Sequence, residues 1–154
     1  MNIVLAVLSL WLPITPSYGE YPFSSYRPDI NLILDTNSVS AVAFNFHRDR
    51  TYDPEWKGIP VDFEHESIAN KNFSLLATIT DLRVRPDGSI HCLFEFTSAG
   101  EALWKRGLTG RSPVFTVDRR RAPVSLKSLA LTYRPLFKSL RHPVDATSSL
   151  RQKR

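Results

Sequence analysis

The chain has 154 residues, 42% of them hydrophobic and 23% charged, which leaves room for one domain with a core and excludes a disordered polypeptide. Twenty Lys and Arg against 15 Asp and Glu give a net charge of +5 and a pI near 9.6, a balance that permits an acidic partner without requiring one. The single cysteine, Cys92, excludes an intrachain disulfide framework and a thiol-rich metal site, and no apolar run reaches the roughly 18 residues of a membrane span.

Residues 3–12 form an apolar run that reads in two ways. Followed by Ser17-Tyr18-Gly19 it has the length of a signal-peptide core, yet the first basic side chain is Arg27, so the charged leader is missing. It also reads as a buried strand, broken into extended pieces by Pro13, Pro16 and Pro22. Asp35-Thr36-Asn37-Ser38 offers caps for a short helix through Val39, Val42, Ala43 and Phe46, with a polar loop over residues 48–58. Residues 59–65 read as a strand with Val61, Phe63 and His65 on one face and Asp62, Glu64 and Glu66 on the other. Residues 75–96 predict a hairpin turning at Pro86-Asp87-Gly88, with Ile90, Cys92, Phe94 and Phe96 aligned. A short helix over 98–106 ends at Gly107, and strands follow around 114–117 and 126–132. The fold class is α+β, mostly β, with one domain over residues 1–137 and a basic, frayed tail over 138–154.

Two side chains carry possible chemistry. His65 on the apolar face of a strand needs a hydrogen-bond partner, and is read either as a satisfied half-buried imidazole or as a base. Ser112, in Gly110-Arg111-Ser112-Pro113-Val114-Phe115, stands where a glycine-bearing loop enters a strand. It is either a turn serine or a hydroxyl that a nearby base activates. His47, His91 and His142 are too scattered for a metal motif, and no G-x-S-x-G elbow exists. Arg119-Arg120-Arg121, Arg141, Arg151, Lys153 and Arg154 read as solvated charge. Phe94, Phe96, Phe115 and Phe137 fall on core positions, so no base-stacking platform for nucleic acid results.

Five segments occur in a telling order: Pro16-Ser17-Tyr18-Gly19-Glu20-Tyr21-Pro22, Ile59-Pro60-Val61-Asp62-Phe63-Glu64-His65-Glu66-Ser67, Phe96-Thr97-Ser98-Ala99-Gly100, Arg111-Ser112-Pro113-Val114-Phe115 and Leu129-Ala130-Leu131-Thr132-Tyr133-Arg134-Pro135. Together, over residues 11–137, they resemble the Mu-like phage capsid-maturation protease, the Mu-like prophage I protein family. That family is similar to the prohead and herpesvirus assemblin serine proteases, so the resemblance implies a β-barrel with a few short helices. It implies a serine endopeptidase with Ser112 as nucleophile and His65 as general base, and makes residues 3–12 a strand. Assemblins use a second histidine, which points to His91; Asp62 and Glu95 are the other candidates, and the third member stays open among them.

The resemblance further implies cleavage of a phage scaffold protein, and of the protease itself, beside capsid proteins inside a procapsid in the bacterial cytoplasm. It implies no cofactor or metal and no specific nucleic-acid or membrane partner, and it allows a homo-oligomer. The family's motif carries an aromatic or aliphatic pair where this chain has Thr109-Gly110-Arg111, and nothing beyond Arg154 corresponds to the relatives' longer C-terminal region, so scaffold would be cut in trans. Two other readings follow from the residues: an inactive phage module that binds scaffold, and a small secreted β-domain with its mature end at Glu20.

Overall fold

The computed structural model describes residues 8–16 and 32–135. Their elements run β1 (Leu8–Pro13), α1 (Thr36–Tyr52), β2 (Ile59–Phe63), α2 (Glu66–Ala69), β3 (Ala77–Val84), β4 (Ile90–Phe96), α3 (Ser98–Lys105), β5 (Gly110–Val117) and β6 (Pro123–Thr132). The six strands form one sheet in the order β1-β4-β3-β2-β6-β5, curled into a half-barrel. Its pairs are antiparallel except β2 with β6, a parallel pair closed by the long crossover between them. The fold is mostly β, with few helices, as the sequence predicts.

The apolar alternation builds the core. Leu8, Leu10 and Leu12 of β1 stand opposite Phe96, Phe94 and Cys92 of β4, which in turn stand opposite Ala77, Ile79 and Leu82 of β3. Between Ile79 and Asp81 the β3 register shifts at Thr80. Strict alternation would turn Asp81 inward; the bulge instead delivers Leu82 to the core, where it is fully buried. The hairpin expected over 75–96 is present, with its turn between Val84 and Ile90. Leu8–Pro13 is a strand within the sheet, in line with the strand reading of the apolar run.

Helix α1 packs against β6 and β3 and gives Val39, Val42 and Phe46 to the core. Asp35 and Ser38 cap it reciprocally, each side chain accepting the other's backbone N–H. The helix runs to Tyr52, farther than the loop expected over 48–58 allows. Thr51 Oγ1 bonds the His47 carbonyl at 2.7 Å, and Pro54 ends the helix by disfavouring helical geometry at Asp53. The tail 138–154, most of the segment 16–22 and residues 1–7 lie outside the described residues.

Two expectations that bear on the site are corrected. Ser112 is not at a loop-to-strand junction, because β5 already begins at Gly110 and pairs from there with β6. Glycine is needed at that position: a β-carbon on Gly110 would collide with the Thr132 carbonyl. Nor is His65 part of a strand. Strand β2 ends at Phe63, and Glu64 and His65 take successive left-handed conformations, with φ of 51° and 63°.

Candidate active site

Register places the site residues. Ser112 of β5 stands opposite Ala130 of β6, and Ala130 stands opposite Asp62 of β2 on its other side. Residues in register share a face, so Ser112, Ala130 and Asp62 form one row across three strands, about 10 Å from end to end at the backbone. The flanking rows, Pro113-Leu129-Val61 and Arg111-Leu131-Phe63, face the apolar core. The row of Ser112 and Asp62 therefore lies on the opposite side of the sheet from the core. Between Ser112 and Asp62, Ala130 carries only a methyl group and is fully buried.

The His65 turn is built around Asp62. This carboxylate is 1% exposed and accepts the backbone N–H of His65 at 3.2 Å and of Ser67 at 2.9 Å; the Ser67 hydroxyl also donates to it. The capping of α2 thus comes from Asp62 rather than from its N-cap residue His65, whose side chain caps nothing. Because the strand stops at Phe63, Asp62 does not point away from the His65 turn, as a regular strand would require; it holds that turn. Glu64 fastens the same loop to β6, donating its N–H to Leu131 O at 3.0 Å and accepting the Tyr133 N–H on its carboxylate at 2.9 Å. These bonds hold two non-glycine residues in left-handed geometry, which costs on the order of 1–3 kcal/mol per residue.

His65 itself is half-buried, and its Nδ1 is buried with no hydrogen-bond partner among the described residues. Leaving such a group unpaired costs about 1–3 kcal/mol. Ser112 is 5% exposed. The other candidates for a third member are on β4, beyond β3, β2 and β6 from β5 in the sheet order, and one strand, β1, from β5 across the Arg111–Pro13 hydrogen bond. There His91 stands opposite Pro13 and Arg83, and Glu95 opposite Ser9 and Thr78. The charge of His91 acts on Asp87. Of the three candidates, Asp62 alone shares the row of Ser112.

Cys92 is no competing nucleophile: burial, reinforced by the Asp81 charge, pushes its thiol well above the ordinary range. Among the described residues no group of three or more His, Cys, Asp or Glu is placed to hold a metal ion. No helix of the described residues is long and apolar enough to cross a membrane.

Three contributions were not legible beforehand: the anchoring by Ser67, the Glu64 clamp on β6, and the closeness of Asp62 to the turn. The available signal was a carboxylate between two core residues, Val61 and Phe63, with a serine five positions later. The glycine of the Phe96–Gly100 segment is also explained. The backbone N–H of Thr97 bonds the Leu76 carbonyl at 2.9 Å, and a β-carbon on Gly100 would strike that same carbonyl. This fixes α3 beside the start of β3.

No curated protein and no solved structure matches the chain. A family model does, the N-terminal domain of the Mu-like prophage I protein, over residues 19–142, a span that includes Ser112, His65 and Asp62. The match covers most of the chain and marks it as phage-related: it belongs to the Mu-like prophage I protein family.

Proposed function

We propose that the chain is a serine endopeptidase of phage head assembly, with Ser112 as nucleophile and His65 as general base. The observation that carries this reading is the row Ser112-Ala130-Asp62, in which the carboxylate at one end anchors the turn bearing His65. In this reading the imidazole reaches over Ala130 and takes the Ser112 proton as Oγ attacks a scissile carbonyl. The proton then passes to the leaving amine, and a water activated in the same way releases the acyl group. Asp62 acts through the backbone, holding the turn so that the imidazole is presented at one height above the sheet.

The substrate of the proposal is the scaffold protein of an immature phage head, and the place of action is the procapsid in the bacterial cytoplasm. Covalent labelling with a fluorophosphonate probe, mapped by mass spectrometry, tests the assignment. Phosphonylation at Ser112, abolished by Ser112→Ala and reduced at least about 100-fold by His65→Ala in folded protein, is the expected outcome. Labelling that survives Ser112→Ala would overturn the nucleophile. Folded protein that never labels, even with scaffold added, would instead fit an inactive scaffold-binding module.

A further inference from the structure

Among the described residues the sheet order leaves β1 and β5 at opposite edges, each paired with a neighbour on one side. On β1 the Ile14 N–H bonds the Ile90 carbonyl at 2.8 Å, so strand alternation turns the main-chain groups of Pro13 away from β4, toward the open side. Proline fits there because it has no N–H to leave unpaired. Its carbonyl accepts a hydrogen bond from Nε of Arg111 at 3.0 Å, and Nη1 of the same guanidinium donates to the Thr109 carbonyl at 2.7 Å. Arg111 is 0% exposed and stands in the core-facing row of Leu131 and Phe63.

A guanidinium is expensive to remove from water, and an apolar side chain would fill this row at lower cost. What the arginine adds is a fork that, among the described residues, reaches the main-chain carbonyls of Pro13 at the end of β1 and of Thr109 just before β5, the former 98 positions away in sequence. The next residue is Ser112, whose own strand is laddered to β6. We propose that Arg111 closes the two open edges of the half-barrel and is thereby a positioning residue for Ser112. The second part rests on the nucleophile reading above.

Arg111→Met keeps much of the volume without donors, and Arg111→Lys keeps the charge but lacks the fork. Both are compared with wild type by hydrogen exchange of segments 12–16 and 108–113, with segment 90–96 as internal reference, and by the rate of fluorophosphonate labelling. In folded variants, exchange rises on the order of tenfold in the first two segments but not in the third. Labelling slows about 10- to 100-fold while its dependence on His65 is retained. Should the Met variant fail to fold, the Lys variant carries the test. Unchanged exchange in a folded variant overturns the closure, and unchanged labelling despite faster exchange overturns the positioning role. Absence of labelling in wild type is a failure of the nucleophile reading and removes the positioning half; the exchange result then decides the closure alone.

Discussion

The seven residues of β4 bury Ile90, Cys92, Phe94 and Phe96 in a single row, whereas the seven residues from Asp62 to Ile68 bury one side chain, a carboxylate. The hairpin that contains β4 is held by apolar area and by aromatic contact, with Phe94 and Phe96 stacked 5.9 Å apart. The β2–α2 turn is held by hydrogen bonds converging on Asp62 and by the Glu64 link to β6. Trimming a buried ring is costly, but the loss is spread over every side chain that packs on it. A turn built on one acceptor carries less of the stability and fixes position more narrowly, which is what the proposed base requires beside the proposed nucleophile.

The largest effect comes from breaking the hairpin. Phe94→Ala removes a fully buried ring and should cost about 3–5 kcal/mol in urea unfolding, lowering the population of folded protein without singling out the turn. Asp62→Ala should cost less, about 1.5–3 kcal/mol, yet abolish fluorophosphonate labelling in protein that remains folded. That inversion of stability and reactivity is the sharpest consequence of the comparison, and a labelling rate that merely follows the folded fraction would contradict it.

Asp35→Ala is the matched control. It too is an aspartate accepting a backbone N–H at a helix start, but far from Ser112 in the fold, so it should cost about 1 kcal/mol and leave labelling unchanged. The smallest effect belongs to Asp87 at the hairpin turn. Burial opposes its charge, but the Ser89 hydroxyl and N–H, with the charges of His91 and Arg85, outweigh this and hold the carboxyl below its usual 3.8. A folded-state value below the unfolded one means that the stabilisation is present above that usual value and lost as pH falls through the lower one. Acid titration of stability should therefore be slightly flatter below about pH 4 in Asp87→Asn than in wild type.

The same contrast explains what could be read from the residues alone. Alternation at Ile90, Cys92, Phe94 and Phe96 and the Pro86-Asp87-Gly88 turn are local patterns with local causes, and they give the hairpin directly. The turn at Glu64 and His65 carries none of the usual marks, since neither residue is Gly or Asn and the alternation runs on through them. Its cause is tertiary: Leu131 and Tyr133 of the β6 end take up the hydrogen bonds of Glu64. Arg111 was legible as part of a family segment but not as a link between strands, because its partner Pro13 lies in a strand that sequence distance conceals. Ser112 and His65 were legible as residues through the family's ordered segments, but their common row with Asp62 needed the parallel pairing of β2 with β6.

The central claim is that the Asp62-anchored turn delivers His65 to Ser112. A crystal structure of the protein after reaction with the fluorophosphonate tests it most directly. The account requires phosphorus on Oγ of Ser112, an imidazole nitrogen of His65 within about 3 Å of that oxygen or of the phosphonyl group, and Asp62 still bonded to the turn. Phosphorus on another side chain, or a His65 ring more than about 6 Å from Ser112 with the turn intact, would contradict it.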